Sequence, residues 1–267
     1  MFFELSSLVL ALLIFGTLFA ATAAGLAVGH RMHAHAKHLS EPFAVIQAAL
    51  LGIVGLLLAF GLSLAVGRYE NRRANVVSET NAIGTTYLRA QTLHEPVRSA
   101  SLARLRRYTD TTIRLSEQVP GSDGARRAAA DGHRIQRDLW GLAGRSLSAA
   151  PQDTAPRLYV QSLNEMIDLQ TARIAGLGNR VPTAVLVLEV LGAVAALSLL
   201  AAYLAFMGRG SLIVVLAASL VALLLLVTFD LDRPTRGLIQ VPDKPLVELR
   251  ADMALPPAAS GPAGRAP

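Results

Sequence analysis

Four long stretches almost free of charge constrain this chain more than any other feature. Residues 5–29, 43–67 and 210–229 contain no Asp, Glu, Lys or Arg, and 181–207 contains one, Glu189. Each exceeds the ~18 apolar residues that mark a membrane-spanning helix, at ~20 residues per crossing. They fall in two pairs, separated by a polar segment of more than a hundred residues. The predicted fold is therefore an all-α integral membrane protein with four transmembrane helices in two hairpins and a helical cytoplasmic domain inserted between them. The expected boundaries are a first hairpin over 5–66 (spans 5–29 and 43–66), a cytoplasmic helical domain over 67–180 and a second hairpin over 181–229 (spans 181–207 and 210–229). A cytoplasmic segment over 230–255 and a disordered Pro/Ala/Gly tail over 256–267 complete the layout.

Composition agrees. Hydrophobic residues make up 52% of the 267, charged residues only 16%, and the mean hydropathy of +0.44 is too high for an ordinary soluble domain of this length. The absence of cysteine excludes disulfides, thiolate metal sites and cysteine nucleophiles.

The net charge of +6 is explained by its placement. With four spans, both termini and the central segment share one side of the membrane. Of the 25 Lys and Arg, only Arg31, Lys37 and Arg209 fall in the two short loops on the other side. Arg68, Arg72 and Arg73 stand directly at a membrane boundary, so the positive-inside rule makes the central segment and both termini cytoplasmic. The N-terminal stretch lacks a basic region before its apolar run, which predicts an uncleaved first span.

The central segment reads as helices separated by breakers. Span two should continue as helix through Arg68, since no Pro or Gly interrupts Arg68 to Ile83. Further helices are predicted from about Val97 to Val119, ended by Pro120-Gly121, from Ala125 to Leu147, and from Pro156 to Gly176. Seventeen basic against eleven acidic residues in 67–181, with few aromatics, describe a solvated helical face rather than a nucleic-acid surface.

Few residues carry candidate chemistry. His30, His33, His35 and His38 crowd an expected external loop, His30 to Pro42. They are either a weak imidazole metal site with Glu41 nearby or a solvated loop whose charge varies with pH. Glu189 lies two turns into span three, where an ionisable group marks a pathway, a proton relay or a buried pair unless it reaches the hydrated interface. Asp230 and Asp232 could contribute to a hard cation site, or could cap a turn or pair with Arg233 and Arg236. No phosphate loop, nucleophile elbow, zinc-protease motif or dinucleotide turn is present. The expectation is a non-enzyme without a cofactor.

The most specific stretch leaves span two. Leu58-Ala59-Phe60 is followed by Arg68-Tyr69-Glu70-Asn71-Arg72-Arg73 and then by Glu79-Thr80-Asn81-Ala82-Ile83-Gly84-Thr85-Thr86-Tyr87-Leu88-Arg89. Asp230-Leu231-Asp232-Arg233-Pro234 and Gly237-Leu238-Ile239 follow the last span. Together these resemble the bacterial bestrophin-like membrane family, over nearly the whole chain apart from the tail. That family is distantly similar to bestrophins, pentameric anion channels with four spans per subunit.

The resemblance implies a homo-oligomer, a pentamer in the bacterial inner membrane, passing small chloride-type anions. It implies that the second span lines the pore, with Gly52, Leu56 and Phe60 at the apolar neck. Arg68, Tyr69 and Arg73 match the Arg–aromatic motif eight residues after the neck, and Asn81 matches an Asn of bacterial bestrophins. Arg68, Arg72 and Arg73 would form a cationic vestibule. Glu79, Gly84, Arg89, Asp230, Asp232, Arg233, Pro234 and Gly237 complete the family motif. Gly52 supplies no side chain to a three-ring neck, and the acidic calcium-binding run of some bestrophins is reduced to Asp230 and Asp232. A non-conducting scaffold or sensor acting through the cytoplasmic helices is the alternative.

Overall fold

The computed structural model describes residues 6–32, 40–208, 211–233, 235 and 237–259. All regular structure among them is helical: α1 (Ser7–Met32), α2 (Ser40–Ala90), α3 (Val97–Glu117), α4 (Asp123–Ala149), α5 (Thr154–Gly178), α6 (Thr183–Phe206), α7 (Ser211–Leu231) and α8 (Lys244–Asp252). Four are long and apolar enough to cross a membrane: α1, the Ala44–Ala90 part of α2, the run through Thr154–Phe206 that ends in α6, and Leu212–Leu231 of α7. The chain divides into two compact units, 1–69 with 180–240, and 70–179 with 241–267. The 51-residue α2 contributes residues to both.

The first unit is built on small residues. Apolar burial supplies little drive between helices that sit in lipid, so close approach and dispersion must supply it. Gly25 and Gly29 of α1 lie directly on the α6 backbone: a Cβ at either would overlap the carbonyl of Ser198 or of Ala202. Ser198 Oγ donates to the Ala21 carbonyl across the same contact (3.1 Å). Ala193, Ala196, Ala218 and Ala222 continue the theme between α6 and α7, with Leu10, Leu18, Leu186, Leu197 and Leu225 filling the space around them. On α2, Val54 packs 3.2 Å from where a Cβ of Gly192 would be.

The second unit is an ordinary core with a polar centre. Ile83 and Tyr87 of α2, Leu105 and Tyr108 of α3, Leu139 of α4, and Tyr159, Leu163 and Met166 of α5 bury one another. Inside that core Arg173 pairs with Glu79 (2.7 Å), and Tyr108 donates to the other Glu79 oxygen (3.2 Å). Gln136 donates to Tyr108 and to Gln170, so the network ties α2, α3, α4 and α5 together. Burial, with the Glu79 charge beside it, holds the Tyr108 phenol well above its usual range, so it remains a donor.

The elements depart from the expected layout at three places. The first connection is shorter than His30 to Pro42, because α1 runs on to Met32 and α2 begins at Ser40. Residues 244–252, read only as part of a cytoplasmic segment, form α8. Leu246 of α8 and Met253 just after it are buried in the second core, and Arg250 pairs with Asp110 (2.6 Å). The tail expected to be disordered from 256 begins with placed residues: the Ala259 N–H donates to Gln91 Oε1 (2.9 Å), and residues 260–267 lie outside the described residues.

The glycine contacts yield a paired test. Gly29→Ala should destabilise the chain by ~1–3 kcal/mol, because the added methyl meets backbone that cannot yield. Gly16→Ala, where nothing lies within 4 Å of the added Cβ, should leave stability unchanged or slightly raised. Thermal unfolding midpoints in one detergent would separate the two.

Candidate functional site

An α-helix repeats its faces every three and four residues, so α2 can be sorted by face from its numbering alone. One edge is buried: Val54, Leu58, Gly61 and Ala65 in the first unit, then Arg72, Val76, Glu79 and Ile83 in the second. The opposite edge is exposed: Val45, Ala49, Gly52, Leu56, Phe60, Ser63 and Gly67 in the first unit. In the second unit α2 exposes Glu70, Ala74, Val77, Asn81, Thr85 and Leu88. Gly52, Leu56 and Phe60 thus share the exposed edge. Leu56 and Phe60 are 59% and 61% exposed, so neither is used in packing the subunit. A Cβ at Gly52 would meet nothing within 4 Å.

The three arginines after this stretch do not act together. Arg72 is buried on the back edge, where its guanidinium donates to the carbonyls of Gly176 (3.3 Å) and Asn179 (2.6 Å) at the end of α5. A cation there satisfies the last carbonyls of a helix and meets the negative end of its dipole. Arg73 is exposed, with a loose pair to Glu70 (3.8 Å). Arg68 and Tyr69 are half-buried, Tyr69 against the first core. The expected vestibule of three arginines therefore loses Arg72 to a structural role. The contiguous motif groups by sequence what the helix separates by face.

The remaining motif residues sort in the same way. Glu79 is the buried partner of Arg173. Gly84 leaves room for Leu249, whose Cδ1 lies 3.3 Å from where a Cβ would be. Arg89 donates to the Leu158 carbonyl (2.8 Å). Asn81 is exposed.

In the last turn of α7, Asp230 accepts the N–H groups of Leu238 (2.9 Å) and Ile239 (2.8 Å). Asp232 accepts the N–H of Val181 with both oxygens (3.1 Å each). Gly237 is required here, since a Cβ would crowd the Asp230 carbonyl (2.7 Å) and carboxylate (2.8 Å). Arg233 is buried and reaches Ser7 Oγ (3.5 Å). The acidic pair is held by backbone donors, in the turn-capping manner. Pro234 lies outside the described residues.

His30 closes the last turn of α1, where its Nδ1–H donates to the Leu26 carbonyl (2.7 Å). His33, His35 and His38 lie outside the described residues, as does the Glu41 side chain. Among the described residues no group of three potential metal ligands occurs. Glu189 is fully buried on α6 against Gly61 of α2.

A bestrophin-like domain matches residues 5–246. The chain belongs to the bestrophin-like family. Three solved structures share its fold, all variants of a bacterial bestrophin homologue from Klebsiella pneumoniae. The tyrosine-to-alanine variant superposes with a TM-score of 0.70 at 13% identity, covering 91% of this chain and 97% of that one. The tryptophan-to-alanine variant gives 0.68 at 16% identity, covering 90% and 93%. The isoleucine-to-threonine variant gives 0.65 at 16% identity, covering 90% and 97%. No curated protein sequence matches. With its four apolar helices, this bestrophin-like chain is a multi-pass membrane protein.

The sorting of the arginines by face is testable. Arg72→Met should lower stability by ~1.5–3 kcal/mol, the usual cost of losing hydrogen bonds to a charged group. Arg73→Met should change it by less than about 1 kcal/mol. Denaturation of the two purified variants in one detergent would read both.

Proposed function

We propose that the chain is the subunit of a homo-oligomeric, pentameric channel for small monovalent anions, with α2 lining its axis. The topology proposed with it is two membrane hairpins, 5–66 and 181–229. The helical domain 67–180, the segment 230–255 and both termini lie on the cytoplasmic side of the bacterial inner membrane. The observation that carries this reading is the exposed edge of α2. A span that packs its back edge into its own subunit and leaves a straight row of Gly52, Leu56 and Phe60 outside has a face to offer to copies of itself.

Around an axis, the Leu56 and Phe60 side chains would stack as two apolar rings, and Gly52 would leave the next level wide. Apolar constrictions of this kind gate by dewetting: they exclude water and ions unless the rings move apart. Cations just inside such a neck concentrate anions in a low-dielectric mouth. The exposure of Arg73 supports that role for it, and half-buried Arg68 would add to the same field. No step here is catalytic.

The test is chloride flux in liposomes reconstituted with the full chain, paired with the mass of the detergent-solubilised particle. Wild type should run as a pentamer and pass chloride slowly. Phe60→Ala should raise that flux several-fold, and Arg73→Gln should lower it, most strongly at low ionic strength. Correctly assembled particles that pass no chloride, either as wild type or as Phe60→Ala, would overturn the reading and leave a scaffold.

A further inference from the structure

One intramembrane group has no part in the pore or in the packing network. Glu189 is 0% exposed, and neither carboxyl oxygen has a hydrogen-bond partner. The other buried carboxylates among the described residues are all answered: Glu79 by Arg173 and Tyr108, Asp230 and Asp232 by backbone N–H groups. Glu189 instead lies on bare α2 backbone. Gly61 is what admits it, since a Cβ there would fall inside the carboxyl. Its setting is the apolar core formed by Leu58 and Ala65 of α2 and Leu186 and Ala193 of α6.

Among the described residues no charged group faces it from the helices around it. On α2 there is none from Ala44 to Gly67, and the first is Arg68, seven residues beyond Gly61 on the same edge, ~10 Å along the axis. On α1 the titratable groups are His30 and Arg31 in the last turn. On α6 the other is Tyr203, fourteen residues further on, and Arg180 precedes the helix. On α7 the first is Asp230, which is committed to Leu238 and Ile239.

A carboxylate without a cation or a donor in such surroundings costs several kcal/mol, whereas the neutral acid avoids that cost. We propose that Glu189 is a proton-binding site at the back of α2, filled while the carboxyl packs on Gly61, and that loss of the proton loosens α2 from α6 beside Phe60. The loosening follows because a carboxylate must find water or a cation, whereas the side chains that line this seam are apolar. The link to conduction rests on the pore reading above; the proton site itself does not.

Two measurements on the full chain test the site without flux. A hydrophobic carbodiimide reacts with the protonated carboxyl in phosphatidylcholine liposomes. The acid proton passes to a carbodiimide nitrogen, the carboxylate oxygen bonds the central carbon, and acyl shift leaves a stable N-acylurea with nothing released. Arg180 and Arg209 bound a tryptic peptide in which Glu189 is the only acidic side chain, so its mass reports the adduct.

The adduct should form in acid buffer, fall at least ~10-fold in alkaline buffer, as ionisation of one carboxyl requires, and be absent from Glu189→Gln. The unfolding midpoint in detergent should fall with rising pH in wild type by more than in Glu189→Gln, which keeps the neutral shape. Equal pH profiles for the two proteins, or an adduct yield that does not change with pH, would overturn the proposal. Both signatures without chloride flux in any form would sink the pore and keep the proton site. Flux with neither signature would do the reverse.

Discussion

Backbone that crosses hydrocarbon must satisfy its hydrogen bonds within its own segment, and the rest of this structure depends on that requirement. It makes the spans helical before any tertiary contact forms. It also removes most of the hydrophobic drive that would pack them, because lipid tails are as apolar as leucine. What remains is close approach. Gly25 and Gly29 against the α6 backbone, and Gly61 beneath Glu189, mark where the helices come nearest. Bulky side chains line the outward faces: Leu12 and Leu13 on α1, Leu216, Leu220 and Leu223 on α7. Small residues thus mark the closest helix contacts, leucines fill the space around them, and further large apolar side chains face outward, as a lipid surround allows.

Charge follows a second rule, that a buried ion must be answered locally. Arg72 is answered by α5 carbonyls, Glu79 by Arg173, Asp232 by a backbone N–H at the entry to α6, and Asp230 by the turn that Gly237 permits. Most of the family motif is this answering machinery. It fixes helix ends and turns, and so fixes where α2 stands. The motif residues left with an outward face are few: Gly52, Leu56, Phe60, Arg73 and Asn81. Glu189 is the exception to the rule, which is why it invites a chemical reading rather than a structural one.

Much of the fold was legible because the span signal is compositional and long. Four stretches almost free of charge become four apolar helices, and α3, α4 and α5 fall close to where they were expected, with Pro120-Gly121 between the first two. The helix α8 was not legible. Nine residues beginning at Lys244-Pro245 show no periodic stripe, and the segment is helical because Leu246 and Met253 find a core made by distant sequence. The candidate site came from the resemblance rather than from any local pattern. Gly52, Leu56 and Phe60 were carried over from the family neck, and their four-residue interval puts them on one exposed edge of α2. Arg72 was grouped with Arg68 and Arg73 because it adjoins them, although eleven residues from Gly61 already place it on the buried edge. The Asp230 turn needed the structure, since which N–H groups a carboxylate will accept depends on a chain path that no local pattern encodes.

The same geometry bears on how a constriction on α2 could be controlled. Phe60 and Gly61 are neighbours in sequence, yet a helix turns about 100° per residue, so one presents to the exposed edge and the other to the seam with α6. Coupling between sites requires an element with two arrangements that both sites bias, and here the element is a single turn of helix. No relay of residues is needed, because rotation or displacement at Gly61 moves Phe60 with it. A glycine at this point also removes the side-chain interlock that would otherwise hold the turn against α6, so the acid on the far helix is its main contact. On either side along α2, Leu58 and Ala65 still pack in the same core as Leu186 and Ala193, so a change at this carboxyl would act on one turn while the apolar contacts beside it hold the helix in place.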